Sequence, residues 1–249
     1  MQTILMETKV IIVAGGKGER LRPITNTIAK PMVKVGNKPV LEHNLDLFKK
    51  YGFKDFIFAL CYLPKTISNY FGDGKEFGVD IEYTYENPET PLGTAGAITL
   101  AKDKIDSIFI VTYGDILRVV DVAEMLKFHK EHNAFATICI YRRHGENPKS
   151  MIKFDREGKI LEFKERPTPE ELTEDFVWAN AALYIFEPEM YHYIQEGTVV
   201  DFGKDVFPKL IEDKKAVYSF QMEGYFIDIG NKEKLDKANS DFEKGLVRI

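Results

Sequence analysis

The stretch Val13–Thr25 reads VAGGKGERLRPIT and follows the apolar run KVII at residues 9–12. A short β-branched run that leads into Ala14, Gly15, Gly16, Lys17 and Gly18 is a strand entering a loop whose backbone can approach another group closely. In open α/β sheets, ligands bind beyond the carboxyl ends of the strands, where such loops lie. Successive glycine N–H groups make a nest for an anion. Arg20 and Arg22 add planar, permanently charged donor forks suited to phosphate. The same residues also read as a tight turn with two solvated arginines. Two familiar phosphate motifs are excluded: no Gly-Lys-Ser/Thr closes the loop, and Leu21 stands where a dinucleotide loop needs glycine or alanine.

Outward from this loop, strand-like and helix-like runs alternate. NKPVLEHNLDLFKKYG places Leu41, Leu45 and Phe48 on one helical face, with Pro39 near the start and Gly52 as the stop. DFIFAL (55–60), VDIEYTY (79–85), SIFIVTY (107–113) and AFATICIY (134–141) read as strands. KTISNYFG and TAGAITLAKD (94–103) read as helices, and Asp121 with Glu124 forms a capping box for another. Buried strands alternating with helices predict an α/β domain with a mainly parallel sheet. After about residue 145 the pattern becomes richer in β structure. SMIKFD and KILEFK flank REG as a hairpin, and ERPTPEELTED is the most polar stretch and reads as a flexible loop. VWANAALYIF is a strand, and 204–211 and 232–242 read as helices. No repeat or linker divides the chain, so 1–249 reads as one domain with halves of about 1–145 and 146–249.

With 249 residues, 44% of them hydrophobic, the chain can bury a substantial core. A net charge of −5 offers no basic field for nucleic acid. No apolar run reaches the roughly 20 residues that span a bilayer, and MQTILMETK lacks the features of a signal peptide. Cys61 and Cys139 lie in apolar runs and read as buried free thiols. His129 and His132, three apart on a helix, read as a solvated edge rather than a metal site. A cytoplasmic protein is expected, with neither nucleic acid nor membrane as a partner.

GGKGERLRPIT followed by KPM (30–32) resembles the signature of sugar-1-phosphate nucleotidyltransferases, G-G-x-G-x-R-L-x-P-x-T with Lys-Pro downstream. PLGTAGA (91–97), YGD (113–115), FKERP (163–167), NAALYIF (180–186) and GYFIDIG (224–230) resemble further segments of that family, in the same order. The resemblance covers essentially the whole chain. It implies a Rossmann-like fold, with helices on both faces of the sheet and a small β-rich elaboration for the sugar. It also implies transfer of a nucleotidyl group from a nucleoside triphosphate to a sugar 1-phosphate. By that resemblance Ala14, Gly15, Gly16 and Gly18 border the triphosphate, Arg20 meets the departing pyrophosphate, and Lys30 bridges the phosphates. Leu92, Gly93 and Thr94 border the base. Glu165 and Asn180 hold sugar hydroxyls, and Arg166 holds the sugar phosphate. Asp115 and Asp228 are the implied ligands of Mg²⁺, a hard cation suited to carboxylate oxygens.

Three residues depart from the family pattern: Arg166 for lysine, Ala182 for a common glycine, and Tyr113 for a common asparagine. The branches most similar to this chain are the mannose-1-phosphate and heptose-1-phosphate guanylyltransferases, while TYGD is similar to the glucose-1-phosphate cytidylyltransferases. Thymidylyl and uridylyl branches fit the base segment less well. GTP with mannose 1-phosphate is the expected pair. About 20 residues follow Asp228, so no carboxyl-terminal β-helix is expected. A catalytically silent, nucleotide-sugar-binding regulatory subunit is the alternative of another class, and assembly into a homo-oligomer is left open.

Overall fold

The computed structural model describes residues 7–144, 149–172 and 176–247. Six residues of MQTILMETK (1–6), the expected boundary between halves near 145–146, residues 173–175 of the polar stretch and the last two residues lie outside the described residues. Seven strands form the central sheet: β1 Val10–Ala14, β2 Asp55–Leu60, β3 Asp80–Tyr85, β4 Phe109–Tyr113, β5 Ala136–His144, β6 Phe176–Phe186 and β7 Val217–Met222. Their order is β7-β5-β6-β4-β1-β2-β3. β1 runs parallel to β2, β2 to β3, and β7 to β5, whereas β6 is antiparallel to β5. Phe56 to Leu60 are all buried, so this strand is covered on both faces and reads as a continuous apolar run.

The chain resolves into two compact units that interleave in sequence. The first comprises Met1–Pro91, Thr112–Val120 and Gly224–Ile249; the second comprises Leu92–Val111 and Asp121–Glu223. The sequence pattern divides the chain once, near residue 145.

In the first unit, helix α1 (Val40–Lys50) buries Leu41, Leu45 and Phe48, as its periodicity predicts. Helix α2 (Pro64–Phe71) ends at Gly72, whose φ of 55° is the left-handed region that glycine tolerates. Ile116–Arg118 pairs antiparallel with Phe226–Asp228. Leu21, Val33, Val35, Val40, Leu117, Ile227 and Leu235 form one apolar cluster beneath this pair.

In the second unit, helix α3 (Val122–Glu131) begins at Asp121, whose carboxylate accepts the Glu124 N–H at 2.8 Å. The hairpin Ser150–Phe154/Ile160–Glu165 forms as expected. Three elements differ from the sequence reading. Residues 94–103 are not one α-helix: the α turn covers only Gly93–Gly96 and gives way to 3-10 helix over Ala97–Lys104. The Val200 carbonyl accepts the Ala95 and Gly96 N–H groups, donors of a first turn that no earlier turn of helix precedes. The helix predicted over 204–211 starts earlier, as a π turn at Phe202–Val206 followed by α-helix Phe207–Glu212. Pro208 has no N–H with which to continue an α ladder backwards. The polar stretch, read as a flexible loop, carries a 3-10 turn at Pro169–Glu171 that Thr168 and Glu171 close with a capping box.

Both cysteines are buried and neither forms a disulfide, as expected. No helix among the described residues is long and apolar enough to cross a membrane.

His129 is a correction. It is 1% exposed rather than solvated, with Nδ1 2.8 Å from the Thr137 hydroxyl. Burial, with a smaller contribution from Lys130, pushes its pKa down to about 4. That burial outweighs the Glu187 carboxylate 3.6 Å from Nε2. A histidine with a depressed folded pKa stabilises the native state fully above its unfolded pKa near 6.5, and loses that contribution as pH falls towards 4. We expect roughly 3 kcal/mol of unfolding free energy to disappear across that window. Urea titrations of wild type and His129→Gln at pH 7 and pH 4.5 check this, because the variant should lose less stability on acidification.

Candidate active site

The first unit gathers Gly18, Arg20, Lys30, Asp115 and Asp228. Gly18 has φ 64°, and a Cβ there would lie 2.9 Å from the Thr25 methyl and 3.0 Å from the Lys30 Cβ. The Thr25 hydroxyl donates to the Gly18 carbonyl at 2.8 Å, which ties the loop to the segment carrying Lys30. Gly15 is glycine for packing, since a Cβ would meet the Cys61 Cβ at 2.9 Å. Gly16 differs: an added Cβ meets nothing within 4 Å and faces open space. Ala14 ends β1 and is buried opposite Leu60.

Asp115 follows β4 on a turn bound from several sides. The Gly114 N–H donates to the Val13 carbonyl at 3.0 Å, and a Cβ on Gly114 would crowd Leu41 and Ile12. The Asn44 side-chain amide donates to the Ile116 carbonyl at 2.8 Å, and the Ile229 N–H donates to the Asp115 carbonyl at 3.1 Å. Asp228 ends the facing strand in register with Ile116. The two carboxylates converge on one ammonium: Lys30 donates to Asp115 and lies 3.4 Å from Asp228 Oδ1. Burial disfavours the charge on Lys30, but the two carboxylates outweigh it and raise the ammonium above the ordinary lysine range.

Arg20 and Asp228 flank Gly230. A Cβ there would lie 3.1 Å from Arg20 Nη2 and 3.5 Å from Asp228 Oδ1. Arg22, by contrast, is half exposed and lies 3.9 Å from Glu19.

Two hard carboxylates already aimed at a single cation fit Mg²⁺. Among the described residues no cluster of three His, Cys, Asp or Glu side chains could hold a metal. Such an ion would therefore take its remaining ligands from water and substrate phosphates, as Mg²⁺ commonly does.

The second unit places Leu92, Gly93 and Thr94 against 200–202. Gly93 has φ 79°, and a Cβ there would lie 2.6 Å from the Val200 carbonyl oxygen. The Val200 N–H donates to the Leu92 carbonyl at 2.9 Å. The Thr94 hydroxyl donates to Asp201 Oδ2 at 2.9 Å and accepts the Phe202 N–H at 3.1 Å.

Glu165 ends the hairpin in register with Ser150, and the Ser150 hydroxyl accepts the Asn180 N–H at 2.8 Å. Burial, then the charge of Asp201, raises the Glu165 carboxyl above the usual range. Asn180 sits at a bulge where β6 slips by two residues against β5. Its oxygen accepts the Ala182 N–H at 2.8 Å, and its amide donates to the Tyr184 hydroxyl at 2.7 Å. Ala182, where a glycine is common in the family, has φ 51°. Arg166 is exposed with φ 52°, and its N–H bonds the Lys149 carbonyl at 2.8 Å.

Sequence reasoning missed Asn44, Asp201 and Gly203. The pattern Asp201-Phe202-Gly203, an N-cap residue ahead of a helix, is the signal that marks two of them.

Residues 9–245 match the nucleotidyl transferase family. A UTP–glucose-1-phosphate uridylyltransferase from Synechocystis is 38% identical over 234 residues, covering 89% of this chain and 60% of that protein. A mannose-1-phosphate guanylyltransferase from Mycobacterium tuberculosis is 31% identical, covering 97% of this chain and 66% of that protein. This chain thus spans less than two thirds of the length of these curated relatives. The solved structure of HddC from Yersinia pseudotuberculosis, complexed with GMP-PN, superposes with a TM-score of 0.79 at 25% identity, over 94% of this chain and 99% of that one. The α/β sheet, the glycine loop and a family match that runs almost from end to end agree: this chain belongs to the nucleotidyl transferase family.

Proposed function

We propose that the protein transfers a nucleotidyl group from a nucleoside triphosphate to a sugar 1-phosphate. The observation that carries this reading is the convergence of Lys30, Asp115 and Asp228 beside the glycine loop and Arg20. A sugar-phosphate oxygen attacks the α-phosphorus, the new O–P bond forms, and the bond to the β-phosphate oxygen breaks to release pyrophosphate. The nucleophile is already an anion, so the work is positioning and charge neutralisation rather than proton abstraction. Lys30 supplies the positive charge that lets two anions meet. Arg20 neutralises charge that grows on the pyrophosphate, and the Gly16 and Gly18 amides cradle the triphosphate. Asp115 and Asp228 would hold Mg²⁺, which when bound neutralises phosphate charge. Leu92, Gly93 and Thr94 border the base, Glu165 takes a sugar hydroxyl, and Arg166 grips the sugar phosphate with its fork. Asn180 keeps one amide hydrogen and one oxygen lone pair for a sugar hydroxyl.

GTP and mannose 1-phosphate are the pair we favour, supported by the mycobacterial relative and by the guanine nucleotide bound to HddC. The Synechocystis relative favours UTP and glucose 1-phosphate as a second reading. Pyrophosphate release, measured for each nucleoside triphosphate against a panel of sugar 1-phosphates, separates them. We expect the highest kcat/KM with GTP and mannose 1-phosphate. Binding of nucleotide sugars without release from any pair would favour the silent regulatory subunit instead. EDTA, Asp115→Asn and Asp228→Asn should each lower turnover by roughly 100- to 1,000-fold, the scale of losing one preorganised charge interaction. Full rates in EDTA would rule out the metal.

Lys30→Met leaves two carboxylates facing each other. Breaking a buried ion pair costs about 3–5 kcal/mol, so the variant should melt well below wild type in EDTA and recover in part when Mg²⁺ is added. An unchanged melting temperature would mean that the three groups do not share one charge balance.

The glycines separate packing from binding. Gly16→Val should keep the wild-type Tm and lose nucleotide affinity by calorimetry, because its side chain enters open space. Gly15→Ala should lower Tm through its clash with Cys61. Full nucleotide affinity in Gly16→Val would reduce the loop to a turn.

A further inference from the structure

Asp201 begins the π turn Phe202–Val206 in the extended conformation of an N-cap residue. Its Oδ1 accepts the Gly203 and Lys204 N–H groups at 2.9 and 3.1 Å, which completes the capping task. Its other oxygen does something that capping does not require. Oδ2 accepts the Thr94 hydroxyl at 2.9 Å, and that hydroxyl in turn accepts the Phe202 N–H. Both hydrogen-bonding directions of the Thr94 side chain are thereby set by two consecutive residues.

The same turn fixes a second group. Gly203, whose N–H Asp201 holds, lies directly against the carboxylate of Glu165. A Cβ on Gly203 would fall 2.6 Å from Glu165 Oε2 and 3.3 Å from the Phe163 ring. Only a residue without a side chain lets the Glu165 carboxylate rest there. Burial and the nearby Asp201 charge both work against ionised Glu165, while Arg166, Lys149 and Lys204 favour it. Four consecutive residues therefore touch both substrate-facing groups of this unit: Val200 meets Gly93, Asp201 and Phe202 meet Thr94, and Gly203 meets Glu165.

We propose that Asp201 is a positioning residue that fixes the base-bordering segment through Thr94 and the sugar-facing carboxylate of Glu165 through Gly203. One carboxylate thus couples recognition of the two substrates. This rests on the nucleotidyl-transfer reading above.

Steady-state kinetics in both substrates, together with Tm, test it on four variants of the full chain. Asp201→Asn keeps the size but has one acceptor oxygen where the carboxylate has two, so it can serve either the Thr94 hydroxyl or the Gly203 N–H and not both at once. It should raise the KM for the nucleotide and the KM for the sugar phosphate, each by about tenfold, the scale of one lost hydrogen bond. Thr94→Val should raise only the nucleotide KM, and Thr94→Ser should restore it. Gly203→Ala should raise only the sugar-phosphate KM by displacing Glu165. A role confined to capping would lower the Tm of Asp201→Asn with both KM values unchanged, and that result overturns the proposal. A change in only one KM for Asp201→Asn overturns the coupling. If Asp201→Asn does not fold, Thr94→Val and Gly203→Ala decide between them: separate KM effects support the arrangement, and wild-type KM values in both overturn it. A wild-type protein that releases no pyrophosphate from any pair fails the transfer reading itself, and the proposal falls with it.

Discussion

The ammonium of Lys30, shared by Asp115 and Asp228, joins positions 85 and 198 residues apart. Each of the three chain segments that make up the first unit contributes one of these side chains. Two nearly buried carboxylates side by side repel strongly, and removing either kind of partner leaves uncompensated charge in a poorly solvated place. The antiparallel pair Ile116–Arg118/Phe226–Asp228 therefore brings together Asp115, on the turn just before its first strand, and Asp228, at the end of its second, with a cation between them. Several local features follow from that demand. Gly114 is small because Leu41 and Ile12 press against it, which lets Asp115 sit immediately beyond the sheet. Asn44, buried on α1, spends its amide on the Ile116 carbonyl and so holds the strand that follows Asp115.

The second unit meets a different constraint, the close approach of glycine backbone to a peptide and to a carboxylate. Gly93 lies on the Val200 peptide, and Gly203 lies on Glu165. Neither contact depends on net charge or on a large apolar surface; both depend on the absence of a Cβ. Around them, polar side chains are consumed in fixing backbone geometry. Asn180 bridges the bulge in β6, and Thr94 is held by Asp201 and Phe202. A polar residue in a binding segment can thus act as much on the shape of the segment as on the ligand.

Much of the fold was legible in order of appearance. DFIFAL is a strand over the same six residues that the pattern predicts, and α1 buries the three residues that its periodicity selects. These readings hold because strand and amphipathic-helix signals are local: a period of 2 or 3.6 and a glycine or proline stop are written in adjacent residues. The failures were of another kind. His129 reads as solvated, yet it shares the helix face of Val122, Met125 and Leu126, is buried with them, and finds Thr137 of β5 as its partner. Residues 94–103 carry helix-forming residues, yet the α turn stops at Gly96, and the Val200 carbonyl serves the Ala95 and Gly96 N–H groups of that first turn. In each case contacts outside the element itself had a part that its local pattern does not show.

Taken by itself, the sequence determined the alternation of strands and helices, the glycine loop after β1, and the residue types able to carry phosphate chemistry. It determined these because each is a property of neighbouring residues. Only the tertiary structure decided that Lys30, Asp115 and Asp228 share one charge balance, and that Gly15 answers to packing while Gly16 faces open space. It alone decided that Asp201 ties Thr94 to the turn on which Glu165 rests. Those facts depend on distances between side chains tens to hundreds of residues apart, and such distances exist only once the sheet has brought its strand ends together.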